Sequence, residues 1–247
     1  MNSVASVLKA HVNAALAFIY PEVCQICGDC RASLAECYIC ADCRNRVRFI
    51  EPPFCDRCGF PFEGKITTVF ECSKCQSADW QFSHARSSVA ARDPILEVIH
   101  RYKYQHALWF EPFLAELLIE RARPGLAGSR WDWIVPVPLH PTKQREREFN
   151  QAERLAGRLG RAIDVPVNTK LLRRRVATRT QTLLSREERL ENVRGAFVPK
   201  GRTRLEGQRI ILIDDVFTTG ATTGACAKVL RALGASEVYV WTVARGI

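Results

Sequence analysis

Four pairs of cysteines constrain the fold of this chain more than any other feature of its sequence. Ten of its 11 cysteines lie between Cys24 and Cys75, and eight of them form Cys-x-x-Cys pairs. One such turn aims two thiolates at one ion, and a second turn completes a tetrahedral site. We therefore predict two structural zinc ions, because four thiolates leave no open position for catalysis. The predicted ligands are Cys24, Cys27, Cys40 and Cys43 for the first ion, and Cys55, Cys58, Cys72 and Cys75 for the second.

The register of the first site remains open, because Cys30 and Cys37 extend the ladder of cysteines that are spaced by three residues. Gly28 favours the pair Cys24 and Cys27, since glycine after the second cysteine allows the positive φ of a knuckle. Disulfides are the structural alternative, and an iron–sulfur cluster is chemically possible. Paired knuckles without an export signal favour zinc.

Composition narrows the class of protein. The chain is 47% hydrophobic and 25% charged, which excludes wholesale disorder. It has no run of about 20 apolar residues that would span a membrane, so we expect a cytoplasmic protein. The net charge is +10, and the stretch from Lys143 to Arg194 holds 14 basic and seven acidic residues. This excess predicts a polyanionic ligand such as pyrophosphate or nucleic acid, with a solvated arginine-rich helix face as the alternative.

The pattern along the chain predicts three segments. Residues 1–22 hold an amphipathic helix that Pro21 ends, residues 23–78 hold the double zinc ribbon, and residues 79–247 form an α/β domain. The ribbon segment has few other large apolar residues, so we expect it to need metal for folding.

Alternation of apolar strands and amphipathic helices predicts a parallel sheet in the last segment. Cys226 lies in the last helical pattern and is predicted to be a small core residue. The excursion from Leu171 to Phe197 is too long for an ordinary loop and suggests a functional role. The predicted strands cover residues 84–92, 131–139, 209–213 and 237–243. One predicted helix starts at Asp93-Pro94, and the others cover residues 108–121, 150–159 and 219–233. Pro124, Gly125 and Gly128 are predicted to lie in a loop.

The most specific motif runs from Ile210 to Thr222. The adjacent carboxylates Asp214 and Asp215 end an apolar strand, and a loop rich in threonine and glycine then opens a helix. Ligands of open α/β sheets bind at the carboxyl ends of strands, and a helix N-terminus holds phosphate. Two carboxylates accept hydrogen bonds from a vicinal diol, so the motif predicts a ribose 5-phosphate site. A simple helix cap is the alternative.

This motif resembles the fingerprint of the type I phosphoribosyltransferases, which bind 5-phosphoribosyl-1-pyrophosphate (PRPP). The resemblance implies an α/β fold with a phosphoribosyltransferase-like parallel sheet, with Asp214 and Asp215 on the ribose hydroxyls as the catalytic carboxylates and Mg²⁺ bound with PRPP. It further implies that Thr218, Thr219, Gly220, Ala221 and Thr222 cradle the 5-phosphate, that the loop after Val135–Pro138 contacts pyrophosphate, and that Arg173–Arg189 lies over the substrate. The absence of an acid at Thr218 argues against salvage of hypoxanthine-type purines.

Over nearly its whole length the chain also resembles the ComF family of competence and DNA-utilisation proteins. The matching segments are the cysteine knuckles, Arg101–Tyr104, Ile134–Pro141, Arg145–Gln151, Thr178–Asn192, the Asp-Asp loop and Val243–Arg245. Many family members carry glycine where this chain has Glu148, so Glu148 is expected to strain or remodel that turn.

The ComF resemblance implies a role in DNA uptake or use, with PRPP as ligand or signal. Single-stranded DNA and other DNA-processing proteins are the implied partners. Residues predicted to contact the DNA backbone are Arg44, Arg46, Arg48, Lys103, Arg145 and Arg147, with Tyr102, Tyr104 or Trp109 available for stacking. An active phosphoribosyltransferase with an unknown acceptor is the alternative function.

Overall fold

A computed structural model describes residues 22–64, 68–176, 193 and 195–247 of the chain. The predicted N-terminal helix and the Thr178–Asn192 segment lie outside the described residues. The chain divides into two compact units, residues 1–46 and 47–247. The second cysteine tetrad therefore belongs to the same unit as the sheet, whereas the predicted boundaries at 22 and 78 remain predictions.

The described part of the first unit contains two Cys-x-x-Cys pairs, a 3-10 turn and a short helix. A 3-10 turn, Leu34–Glu36, begins with a capping box in which Ser33 and Glu36 exchange hydrogen bonds. Helix α1, Ala41–Asn45, starts directly after Cys40 and carries Cys43 on its buried side. Gly28 has a φ of 75°, as predicted for the turn after Cys27.

The second unit is built on a four-stranded parallel sheet with the order β1-β6-β5-β2. Central strand β5 pairs with β2 on one side and β6 on the other, with Ile211 opposite Ile134 and Tyr239. A separate antiparallel pair, β3 and β4, flanks the predicted excursion and was not predicted. The strands are β1 His84–Ala90, β2 Trp133–Pro136, β3 Leu172–Arg174, β4 Phe197–Pro199, β5 Arg209–Phe217 and β6 Glu237–Arg245.

Helices cover both faces of the sheet, which is why its strands are almost continuously apolar. The described helices of this unit are α2 Ser73–Gln76, α3 Ile95–Tyr104, α4 Glu111–Leu126, α5 Pro141–Arg147, α6 Gln151–Ile163 and α7 Ala221–Ala232. Helices α4 and α6 pack on each other and across β1, β6, β5 and β2. Helix α7 packs with the second cysteine tetrad against alternate sheet residues such as Ile210 and Leu212. Among the described residues, no helix has the length and apolar character needed to cross a membrane.

A buried acid joins the two helices of the first face. Glu111, 4% exposed, accepts hydrogen bonds from Arg154 and Arg158 of α6. Two guanidinium groups on one carboxylate satisfy a charge that would otherwise be costly to bury. The contact fixes the start of α4 against α6.

The predicted ends of one strand and one helix were wrong. Strand β5 continues past Ile213 to Phe217, because its backbone remains paired with β6 as far as Arg245. Helix α4 continues through Pro124 and Gly125, which were predicted as loop. Gly125 suits the helix because a Cβ there would lie 2.7 Å from the ring of Trp241, so only glycine allows this close packing.

Two helix starts also differ from the prediction. Pro94, rather than Asp93, is the N-cap residue of α3, which begins at Ile95. Helix α7 begins at Ala221 and not at Thr219, because Gly220 takes the left-handed conformation with φ 82° and is therefore not part of the helix. Asn150 is the N-cap of α6, and its side-chain oxygen accepts from the Ala152 amide at 3.1 Å.

Glu148 ends α5 in the left-handed conformation, with φ 64° and ψ −16°. This conformation crowds the Cβ of any residue except glycine. The structure thus confirms that the position demands the geometry for which glycine is suited. The carboxylate of Glu148 lies 3.5 Å from Nδ1 of His106.

Replacing Glu148 by glycine should stabilise the protein. We expect Glu148→Gly to raise the free energy of unfolding by about 1 kcal/mol, because the left-handed backbone is then unstrained. Urea denaturation measures the change. Glu148→Ala is the matched control, since it removes the carboxylate but keeps the Cβ. Equal stabilisation by alanine would show that the carboxylate, and not the backbone, is the source of the strain.

Candidate functional site

The first cysteine tetrad brings together the ligands predicted for the first zinc ion. The sulfur atoms of Cys24, Cys27, Cys40 and Cys43 lie within 4.8 Å of one another. The Sγ atoms of Cys27 and Cys40 are 3.8 Å apart, which is close to the edge of a tetrahedron built on Zn–S bonds of about 2.3 Å. Cys30, whose Sγ lies 4.0 Å from Asp42 Oδ2, is outside this set. The register with Cys24 and Cys27 is the one that the structure adopts.

The second tetrad repeats this geometry inside the larger unit. The sulfur atoms of Cys55, Cys58, Cys72 and Cys75 again lie within 4.8 Å of one another, and all four residues are buried. Cys72 N donates to Cys55 Sγ at 3.3 Å, as Cys40 N donates to Cys24 Sγ at 3.4 Å. Backbone amides that donate to sulfur stabilise the thiolate form that a metal needs. Both sites therefore fit structural zinc.

The segment from Asp214 to Thr222, here called the Asp-Asp loop, lines a cavity of about 590 Å³ at the carboxyl end of β5. All of the predicted ribose and phosphate residues, Asp214, Asp215, Thr218, Thr219, Gly220, Ala221 and Thr222, contribute to its lining. The loop leads directly into α7, whose first turn presents backbone N–H groups at its start. The sequence motif thus lies where open α/β sheets bind their ligands.

The two carboxylates differ in their surroundings. Asp215 is buried and lies 2.8 Å from Nζ of Lys103 on α3. Burial and the neighbouring charge of Asp215 raise the pKa of Asp214 to about 7, against the opposing effect of Lys103. Asp214 Oδ1 also accepts the backbone N–H of Asp215 at 2.9 Å. The pair therefore combines one carboxyl group with a raised pKa and one carboxylate that is paired with a lysine.

The loop has a rigid aromatic backing. A Cβ on Gly220 would lie 2.8 Å from the ring of Phe217 and 3.0 Å from that of Trp80, and a Cβ on Gly224 would lie 2.7 Å from Trp80. Close packing therefore requires glycine at both positions, and the left-handed backbone requires it at Gly220 as well. Within the loop, Thr219 Oγ1 accepts from Ala221 N at 3.3 Å, which orders the turn into α7.

Three basic side chains from two elements line the same cavity. Lys143 and Arg147 come from α5, and Arg174 comes from β3 at the start of the predicted arginine-rich excursion. Burial lowers the pKa of Arg174 from its ordinary value. Arg147 donates to Gln151 Oε1 at 3.1 Å and lies 4.8 Å from the Tyr104 ring centroid. Together they supply the positive charge that a pyrophosphate group requires.

The residues predicted to contact DNA are divided between the two units. Lys103 and Arg147 line the cavity, and Lys103 pairs with Asp215. Arg145 is exposed on α5, Arg44 and Arg46 belong to the first unit, and Arg48 belongs to the second. Sequence reasoning missed the location of Lys103, because spacing alone does not show which strand end a helical lysine faces.

The predicted stacking role of Tyr102 was wrong. Its side chain is fully buried, because Tyr102 lies on the apolar face of α3 and packs 5.1 Å from the Phe149 ring. Tyr104, 45% exposed, and Trp109, 36% exposed, remain accessible. Cys226 is buried in the core, as predicted.

Comparison with known proteins connects these features to a family. The Double zinc ribbon domain family matches residues 15–76. Competence protein F of Haemophilus influenzae is 32% identical over 197 residues, which cover 78% of this chain and 85% of that protein. The chain belongs to the competence protein F (ComF) family. DNA utilization protein YhgH of Escherichia coli is 28% identical over 204 residues, covering 81% of this chain and 88% of that protein.

Comparison with solved structures finds partial matches to two enzymes. Purine phosphoribosyltransferase from Pyrococcus horikoshii covers 56% of this ComF-family chain, at 17% identity and a TM-score of 0.36, and 85% of that structure is matched. Glutamine PRPP amidotransferase from B. subtilis covers 53% of this chain and 25% of its own, at 21% identity and a TM-score of 0.34.

The two tetrads predict two equivalents of zinc per chain in protein that has been purified without chelator. Cys55→Ser should lower the content by about one equivalent, because a three-thiolate site holds zinc less tightly. Elemental analysis measures the content. The controls Cys30→Ser and Cys37→Ser should retain both ions. A loss of zinc in either control would show that the register of the first site is different.

Proposed function

We propose that this ComF-family protein binds PRPP with Mg²⁺ in the cavity at the carboxyl end of β5 and acts in the uptake or use of DNA. The observation that carries the proposal is the joint lining of one cavity by the two carboxylates, the threonine-glycine loop and the start of α7. A diol, a phosphate monoester and a pyrophosphate each meet groups of suitable chemistry there.

The ribose end of PRPP matches the acidic side of the cavity. Asp214 and Asp215 accept hydrogen bonds from the two ribose hydroxyls, and Mg²⁺ supplies charge that offsets the carboxylates and the pyrophosphate. Lys103 is already 2.8 Å from Asp215, so it is placed to hold that carboxylate in position while the ligand binds. The role previously predicted for Lys103 at DNA is thereby replaced by one in the cavity.

The phosphate ends match the loop and the basic side. Backbone N–H groups between Thr219 and Thr222, with the threonine hydroxyls, are suited to the 5-phosphate. Lys143, Arg147 and Arg174 are suited to the pyrophosphate, as bidentate or point-charge donors.

The role in DNA rests on the relatives and on charge. Two relatives are named for competence and for DNA utilization. The net charge of +10 supplies cations for a phosphate backbone, and Arg46, Arg48 and Arg145 are exposed. Tyr104 and Trp109 offer accessible rings for stacking of unpaired bases.

The alternative function is phosphoribosyl transfer to an unidentified acceptor. Leu96, His100 and Tyr104 line the cavity beyond the loop and add apolar and aromatic surface. A phosphoribosyl group alone does not need this surface, so its presence favours a second, acceptor molecule. Assays for pyrophosphate release from PRPP across a panel of bases separate this function from ligand binding alone.

Removing the negative charge of both carboxylates should abolish PRPP binding. We expect Asp214→Asn with Asp215→Asn to reduce the affinity for PRPP in the presence of Mg²⁺ by at least about a hundredfold, since the loss of two charge-assisted hydrogen bonds costs roughly 3 kcal/mol or more. Isothermal titration calorimetry measures it.

The matched control for this variant is Glu146→Gln with Glu153→Gln, which removes two exposed carboxylates outside the cavity lining. It should leave the affinity unchanged. Unchanged affinity in the Asp214 and Asp215 variant itself would show that the loop is only a helix cap.

Binding to single-stranded DNA should depend steeply on salt and little on sequence. Each neutralised phosphate contributes about 0.7 log units of affinity per log unit of salt. Replacing Arg44, Arg46 and Arg48 by alanine should lower both the affinity and the salt slope in fluorescence anisotropy titrations, while PRPP binding persists.

The control for the DNA experiment replaces three other exposed arginines, Arg123, Arg202 and Arg204, by alanine. It removes the same net charge, so an equal loss of affinity would show that total charge alone drives binding. An absence of binding by the unchanged protein at low salt would overturn direct contact with DNA.

A further inference from the structure

Arg245, the last residue of β6, is buried beside the second cysteine tetrad. Its side chain is 5% exposed, and Nη2 donates to Cys58 Sγ at 3.3 Å. Its other two guanidinium nitrogens, Nε and Nη1, are buried without a hydrogen-bond partner within the described residues. The sulfur of Cys58 is thus the polar group against which this cation is placed.

A buried guanidinium without a carboxylate is costly unless another anion compensates it. A zinc ion with four thiolates carries a net charge of −2, which is costly to bury in the same way. Each charge therefore lowers the cost of burying the other. A hydrogen bond to a ligating sulfur also fixes the orientation of that ligand.

We propose that Arg245 balances the charge of the second zinc site and couples that site to the candidate phosphate loop. The first half concerns only the tetrad. The second half rests on the proposed function, because it assigns the loop to phosphate.

The coupling runs through aromatic packing. The Arg245 guanidinium lies 4.5 Å from the centroid of the Phe217 ring, and the same ring is in close contact with Gly220 of the loop. The next residue, Gly246, donates its N–H to the Phe217 carbonyl at 2.9 Å. The end of β6 therefore fixes Phe217 twice, since Arg245 packs on its ring and Gly246 binds its backbone carbonyl.

The ribbon also reaches the loop directly. Trp80 follows α2, which carries Cys75, and its ring is packed against Gly220 and Gly224. Arg57, between Cys55 and Cys58, donates to the Trp80 carbonyl at 2.9 Å. Loss of the second zinc ion would release both Trp80 and Phe217, and with them the backing of the loop.

The rate of zinc release to a chelator with a colorimetric indicator tests the first half. Arg245→Leu should release one of its two zinc ions roughly tenfold or more faster than the unchanged protein, as expected when a hydrogen-bond partner of a metal ligand is removed. Arg245→Lys, which keeps the positive charge, should restore most of the retention. The same comparison can be made in a Cys24→Ser, Cys27→Ser background, which disrupts the first site and leaves the second intact. The single zinc ion that this protein still holds should then be released faster when Arg245 is replaced by leucine.

Arg209→Leu is the matched control, because Arg209 also lies over an aromatic ring, that of Trp131, but pairs with Glu237. Its zinc release should match that of the unchanged protein. Arg245→Gln, a smaller polar change, decides the question if the leucine variant does not fold by circular dichroism. Unaltered zinc release in the folded Arg245 variants would overturn the charge-balancing role.

PRPP titration of the same variants tests the coupling. Arg245→Leu should weaken PRPP binding by about tenfold or more, and Arg245→Lys should recover part of the loss. Faster zinc release with unchanged PRPP affinity would overturn the coupling alone. If the unchanged protein does not bind PRPP, the proposed function fails, whereas the zinc-release result still decides the role of Arg245.

Discussion

The backbone pairing of β5 with two neighbours at once is the constraint on which the candidate site depends. Because β5 stays in register with β6 through Phe217, Asp214 and Asp215 are held within a strand and not in a loose turn. Their carboxylates are thereby fixed near the carboxyl end of this central strand, where burial raises the pKa of Asp214 to about 7 and Lys103 lies 2.8 Å from Asp215. The turn that must follow such a strand is short, and Gly220 makes it possible by its left-handed backbone.

The two cysteine tetrads differ in how they are connected to the rest of the protein. The second tetrad is not an isolated module, since its four cysteines share a core with β5, β6 and α7. A zinc ion there would organise residues close to those that pack against the loop of the cavity, Trp80 and Phe217. The first tetrad belongs to the smaller unit and organises the described residues around α1. Two sites with the same ligand set therefore stabilise different parts of the protein.

The sequence predicted those features that have a strict local pattern. The ligand sets followed from Cys-x-x-Cys spacing, and the cavity residues from a strand, two aspartates and a glycine-threonine turn. The positive φ of Gly28 was also predicted from such a pattern, whereas the expectation of strain at Glu148 came from the resemblance to the ComF family. Features that depend on tertiary contacts were not. Pro124 and Gly125 end helices in isolation, yet packing of Gly125 on Trp241 keeps them in α4. The burial of Tyr102 and the direction of Lys103 depend on where α3 lies against the sheet.

A crystal structure of the protein with PRPP and Mg²⁺ tests the central claim most directly. The account predicts that the 5-phosphate lies on the backbone amides between Thr219 and Thr222, with the ribose hydroxyls on Asp214 and Asp215 and the pyrophosphate near Arg147 and Arg174. Density for PRPP at another surface, with the cavity filled by solvent and the Lys103–Asp215 pair unchanged, would contradict it.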